Sequence, residues 1–517
     1  MIAANPQDYE LQFEQAKFDE QSGESAQAEA VYRKIMTAAQ GNAAGTGTTA
    51  RLRLAALKAQ QNDLAGAQAL VAEVLADNPR NDDALILRGN LALAQKDPKT
   101  AIADLRAVLR DQPNTVGVMR SLARAHIANG EPVLAEEILR RALEANPKDS
   151  TLQLDLAQLV FDLGRPGQAK PIIDALAKQQ PNNTQVLEMQ YKVAVATNDL
   201  VTARAAADAF VATQPQWSVG YFFQGAVAEA TQRPEDAVRL YSKSLEVQPD
   251  AAEPLQGLVR VLVTLKRAPE ALKRVDAVID RYPKDSIAPA IKGDLLLATE
   301  QPNEAAAAFK TAIERDPKLS VAYRNLATAE HMNHDDDGAI ATLRGGIDKV
   351  SNPEALETAL AGLYDSLGRP DDAAEVYESA LRRNPQADIA ANNLAMFLVT
   401  HRKDQASLDR AVKLSARFAE SSNPDFLDTY GWVLYKHGDA MAAVVALRDV
   451  LAKAPQSPIV LYHLGMAQFL AGQADAARDS LTRAVKSGKD FPGVDEAKAT
   501  LDRLARQALA ETASPRS

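Results

Sequence analysis

Apolar positions recur at helical spacing in runs of about 14 residues, and the runs come in pairs separated by short polar turns. A proline follows each pair: Pro79, Pro113, Pro147, Pro181, Pro215, Pro249, Pro283 and Pro317 stand 34 residues apart. Ser351 and Pro385 hold the next two slots, so the period persists where the proline lapses. A fixed period of this length marks an array of repeats. Each repeat is predicted to be a helical hairpin, with the proline standing where the second helix cannot continue. The inner turns carry Asn62-Asp63, Asn129-Gly130, Gly164, Gly368, Gly438 and Gly472. A glycine there supplies the left-handed residue that closes a helix.

Two columns of small residues run through the array. In the second helix every unit has alanine: Ala28, Ala67, Ala101, Ala135, Ala169, Ala203, Ala237, Ala271, Ala305, Ala339, Ala373, Ala411, Ala443 and Ala477. In the first helix the column is Ala16, Ala55, Gly89, Ala123, Ala157, Gly225, Gly293, Ala327, Ala361, Ala395, Gly431 and Gly465, broken only by Tyr191 and Val259. Facing columns of this size suit close antiparallel packing of two helices. With Leu85, Gly89, Ala101, Leu105, Val108 and Pro113 in one unit, and Gly225, Ala237, Tyr241 and Pro249 in another, the chain resembles tetratricopeptide repeat proteins. The resemblance spans roughly residues 7 to 490 in fourteen units. It implies an all-α, right-handed superhelical α-solenoid whose first helices line a concave groove.

The array overrides the prior of several globules for 517 residues, because stacked units share one continuous core. The expected layout is a first unit over 1–40, a flexible Gly/Thr-rich insertion over 41–49 and a continuous solenoid over 50–399. A loop insertion follows at 400–408, with His401, Arg402 and Lys403, then the last units over 409–491. Val494, Ala497, Leu501, Leu504 and Ala508 mark a capping helix over 492–511, and 512–517 is expected to be a disordered tail. The first residues lack a basic head and an apolar stretch, so they do not read as a signal peptide. They look like the end of an earlier repeat, which suggests a chain clipped from something longer or a mature form whose targeting segment is gone.

Composition narrows the function classes. A formal charge of −10 argues against nucleic acid as a partner, since a binder of phosphates needs a basic face. Cysteine is absent, which removes disulfides and thiolate metal sites, and no apolar run reaches the length of a membrane span. No nucleotide loop, nucleophile elbow or zinc helix motif occurs. His331, His334 and Asp335 to Asp337 have a metal look, but they fall on a turn where a solvated polar run is expected. The reading is of a non-enzymatic chain with no cofactor and no metal.

The resemblance places particular first-helix positions in the groove. In the first half these are polar, including Arg120, Arg124, Glu188, Lys192 and Arg260. In the last three units they are Asn392, Met396 and Val399, then Asp425, Asp428, Trp432 and Tyr435, then Tyr462, Met466 and Phe469. Clustered aromatic and Met side chains in a groove are anchors for a peptide or partner helix. The other reading is that Trp432 and its neighbours pack against the next unit. On the first reading, Trp432→Ala or Tyr462→Ala abolishes partner capture and leaves helicity unchanged. Trp217 is expected inside the array.

A Lys, Asn, Asn, Lys, Arg set for gripping chaperone C-termini is not found, so a co-chaperone role of that type is not expected. Asn392 to Leu398, Leu427 to Tyr435 and Tyr462 to Gly465 resemble the C-terminal units of large bacterial repeat proteins, among them a PEP-CTERM-associated group linked to exopolysaccharide export. The resemblance implies a non-catalytic protein-interaction scaffold in a bacterial envelope assembly. It would be located in the periplasm or envelope through a targeting segment absent from this chain, or otherwise in the cytoplasm. The alternative is the substrate-recruiting arm of a larger enzyme, such as a glycosyltransferase, whose catalytic domain lies elsewhere.

Overall fold

The computed structural model describes residues 8–39, 44–402, 404–453, 457–488 and 490–513. Among the described residues there are twenty-nine α-helices, α1 to α29 in chain order, one short 3-10 turn and no strand. The first twenty-eight form fourteen hairpins and the last is single. The chain divides into two units, residues 1–257 and 258–517, and each is an all-α array of stacked hairpins.

The hairpin follows from its inner turn. A left-handed residue recurs every 34 positions from Asn62 through Lys96, Gly130, Gly164, Asn198, Gln232, Lys266, Glu300 and His334 to Gly368, and again at Gly438 and Gly472. The next residue returns its N–H to a carbonyl five positions back, as in Asp97 to Ala92 and Arg233 to Ala228, both 2.8 Å. This closes the first helix on its own orphan carbonyls. The second helix then starts on an aspartate cap or on a proline. Asp97 accepts from the Thr100 N–H and Asp199 from the Thr202 N–H, whereas Pro132, Pro166, Pro234, Pro302 and Pro370 open other helices where no N–H is needed.

Packing uses the small columns as expected. All fourteen alanines are at most 1 % exposed. In the first unit the Tyr241 ring lies between Gly225 and Gly257, and a Cβ at either glycine would stand 2.6 Å from it. In the second, Gly293 leaves the same room for Phe309. Tyr191, which breaks the column, stacks on Phe223 at 3.9 Å, and burial pushes its hydroxyl up to about 12. Polar clasps set the register between successive hairpins. Gln190 donates to Asp174 and Gln224 to Asp208 in the first unit, and Lys292 pairs with Asp276 in the second.

Four expectations change. The stretch 41–49 is not all linker: Gly41 to Ala43 lie outside the described residues, but helix α3 runs Ala44–Gln60. Helix propagation gains a hydrogen bond per residue, and the Thr49 hydroxyl adds a bond to the Gly45 carbonyl at 2.9 Å. The insertion at 400–408 is also largely helical, since α23 extends over Asp388–His401 and α24 begins at Gln405, capped by Asp404. Arg402 pairs with Asp371 and His401 with Asp365, so these side chains serve the stack, while Lys403 lies outside the described residues. The capping helix α29 spans Val494–Ala513, past the expected boundary, and 514–517 lie outside the described residues. Trp217 is 47 % exposed. It precedes α13 (Ser218–Ala230) in the turn, with its ring tilted against Phe210 at 6.1 Å and much of it facing solvent. No helix of the described residues is long and apolar enough to cross a membrane.

Candidate functional site

In the second unit, α23, α25 (Pro424–His437) and α27 (Pro458–Leu470) bring the aromatic groove residues together. The groove there is filled. Trp432 is 6 % exposed, Tyr462 3 % and Met466 4 %, and Val399 is buried with them. Met396, Tyr435 and Phe469 pack half-buried against the same cluster, while Asn392 and Asp428 are half-buried and Asp425 is exposed. An indole at this position is too large to line the groove without meeting the next hairpin, so the rings bury one another.

The contacts are specific. Trp432 stacks on His463 at 3.9 Å and on Tyr435 at 4.7 Å, and Lys436 sits over its ring at 4.6 Å. His463 Nδ1 lies 2.9 Å from Asp428 Oδ2, and because a carboxylate only accepts, Nδ1 is the donor. Tyr462 donates to Glu496 of the capping helix at 2.5 Å, and its ring meets Phe491. Burial first, then that hydrogen bond, raises the Tyr462 hydroxyl far above its ordinary range, and burial pushes Tyr435 up to about 12. Arg503 of the cap lies over the Phe469 ring. The expectation of an open aromatic groove is therefore corrected: these positions share one face, but the surface is closed by their own neighbours and by α29. His463 and Glu496, which complete the cluster, fall outside the groove positions and went unnoticed in the sequence.

An open cavity lies in the first unit. Helices α7 (Val116–Ala128) and α9 (Ser150–Asp162), with the start of α8 (Pro132–Ala145), enclose about 570 Å3. The floor is apolar, with Leu139, Leu159 and Leu163, and Ile127 is 45 % exposed beside it. Arg120 bonds Asp155 through Nε at 2.5 Å, which holds its guanidinium above the usual range. Gln158 donates to Asp162 on the same rim. Arg124 is exposed with no partner among the described residues, one helical turn from Arg120. An apolar floor with a few polar groups on its rim is the usual make-up of a ligand cleft. Of the other polar groove residues, Glu188 and Lys192 pair with each other at 2.6 Å, and Arg260 lies on α15 (Ala252–Thr264). His331 pairs with Asp336 at 2.5 Å, and His334 occupies the left-handed turn position. Among the described residues no group of three potential ligands could hold a metal ion.

No curated protein matches the chain. Among solved structures, the APC/C hetero-tetramer Cut9-Hcn1 is similar at 14 % identity and a TM-score of 0.44, with 96 % of each chain covered. The structure of Naa15/Naa10 bound to HypK-THB is similar at 14 % identity and 0.39, covering 98 % of each. A tetratricopeptide repeat protein from Parabacteroides merdae aligns at 16 % identity and 0.37, over 47 % of this chain and 97 % of its own. Family models for the tetratricopeptide repeat match residues 92–151, 128–192 and 228–295, and 52–114, 292–352, 358–421 and 431–492. Matched over most of its length, and built of hairpins with the small columns and inner turns described above, the chain belongs to the tetratricopeptide repeat family.

Proposed function

We propose that the chain is a non-catalytic protein-interaction scaffold whose first unit takes an extended segment of a partner protein in the cleft between α7 and α9. One observation carries this reading: an open cavity of about 570 Å3 with an exposed Ile127 beside its apolar floor and, at its rim, an Arg124 that has no partner among the described residues. Exposed apolar surface beside an uncommitted guanidinium can bury a side chain and hold a carboxylate or backbone carbonyl. The Trp432 cluster is then packing that stiffens the second unit, a reading its burial supports.

A library of random peptides displayed on phage and panned on the full chain tests the cleft. Enriched peptides should lose about tenfold in affinity, or about 1.4 kcal/mol, with Arg124→Glu and again with Ile127→Asp, by fluorescence anisotropy. Unchanged affinity in both variants contradicts the assignment.

The scaffold is placed in a bacterial envelope or exopolysaccharide-export assembly. The support is the resemblance carried by Asn392 to Leu398, Leu427 to Tyr435 and Tyr462 to Gly465. Fractionation of cells expressing the complete reading frame should find it in the envelope or periplasm, and an exclusively cytoplasmic pool would overturn that placement.

A further inference from the structure

The first unit has another cleft, formed mainly by second helices. Helices α6 (Pro98–Asp111) and α8 bound about 660 Å3 above α7. Leu122 and Ile138 give it an apolar bed, and Leu134 stands exposed at its edge. Three guanidinium groups surround it, Arg106, Arg110 and Arg141, against the single carboxylate of Glu137. Their neutralisation inside the protein is partial, with the Glu131 carboxylate acting on Arg106 from beyond His126. Arg106 reaches the buried His126 at 3.3 Å, Arg141 donates to the Pro113 carbonyl, and Arg110 has no partner among the described residues. His126 is itself committed to Glu131 through Nδ1 at 2.7 Å.

The array supplies its own comparison. Seven repeats further on, in the second unit, a cleft of about 350 Å3 is lined from the same repeat positions. There Asp348 stands in the place of Arg110, Asp372 in the place of Leu134 and Ser379 in the place of Arg141. The hairpin stack therefore provides the cleft, and Arg344 repeats Arg106, while Arg110, Arg141 and the exposed Leu134 have no counterpart of their kind in the second cleft. An excess of cation around an apolar bed, in a protein of net charge −10, calls for an anionic amphipathic occupant. Two helices bounding a bed favour a third helix laid between them by ridge-and-groove packing, with apolar anchors at i, i+3, i+4 and i+7.

We propose that this cleft is a second docking surface, for an acidic amphipathic helix of a partner protein. The probe is a fluorescein-labelled peptide, helical by design, with leucines along one face and glutamates on its flanks. A counterpart with glutamine in place of every glutamate serves as the reference. By anisotropy with the full chain, the acidic peptide binds at least about tenfold tighter than its counterpart, and the gap shrinks as salt is added. The double variant Arg110→Glu/Arg141→Glu removes that advantage. Leu134→Asp, which installs the residue found at the equivalent second-unit position, weakens both peptides. Lys178→Glu, a similar charge change on another helix, leaves the affinity as it was. Circular dichroism confirms that the variants, all at exposed positions, keep their helix content. Equal affinity for the two peptides, or an advantage that survives Arg110→Glu/Arg141→Glu, overturns the proposal. These readouts do not involve Arg124 or Ile127, so this site and the α7/α9 cleft stand or fall separately.

Discussion

Replacing Trp432 by alanine is expected to cost about 3–5 kcal/mol of stability, the range for deleting a large buried aromatic side chain. The indole lies between His463 at 3.9 Å and Tyr435 at 4.7 Å, with Tyr462 tilted against it at 5.4 Å. Its removal leaves a cavity and also frees His463, whose bond to Asp428 is held in place by that stack. Repeat arrays gain stability from nearest-neighbour terms, so the loss should fall first on α25 and α27. Hydrogen exchange resolved by peptide fragment checks this: faster exchange there, with an earlier melting phase by circular dichroism, is the expected result. Unchanged exchange and melting would return the residue to the role of an open anchor.

The opposite sign is expected at the inner turns. Lys96, Gln232, Lys266, Glu300 and His334 hold φ between 55° and 62°, a region that costs any side chain energy, though Asn, Asp and His less than the others. Glycine removes a backbone cost of about 1–2 kcal/mol per residue and returns about 0.5–1 kcal/mol as extra freedom in the unfolded chain. The net gain is about 0.5–1 kcal/mol per site. The five sites lie far apart in sequence and their gains should add, so the fivefold variant should be about 2.5–5 kcal/mol more stable. A thermal melt should shift upward by several degrees. No shift, or a lower midpoint, would show that these turns are not strained.

Much of the fold is legible in the sequence because the repeat depends on a few residue sizes at fixed spacing. The alanine column had to be buried, since only a methyl fits where two helices press together, and its fourteen members are. The glycine turns were legible too, but Lys96, Gln232 and Glu300 were not recognisable as left-handed residues. Their own preference opposes that conformation, and the hairpin closing on both sides imposes it. Gly41 to Thr49 reads as a linker by composition, yet α3 recruits residues from Ala44 onward because a packed helix gains by extending. At the candidate site, which residues share a face was readable from their phase. Exposure was not, because it depends on how far an indole reaches into the next hairpin and on a cap that brings Glu496 and Phe491 onto Tyr462. The polar cleft at Arg120 and Arg124 was nameable from position, while its volume required the stacked backbone.

On the proposed function, this repeat array works by presenting a surface, and the surface for an extended partner segment lies between α7 and α9. A hydrogen-exchange footprint of a phage-selected peptide on the full chain tests it most directly. Protection is predicted on α7 and α9 around Arg124, Ile127 and Leu159, with α25 and α27 unchanged. Protection confined to α25 and α27 around Trp432 and Tyr462, with none on α7 and α9, would contradict it.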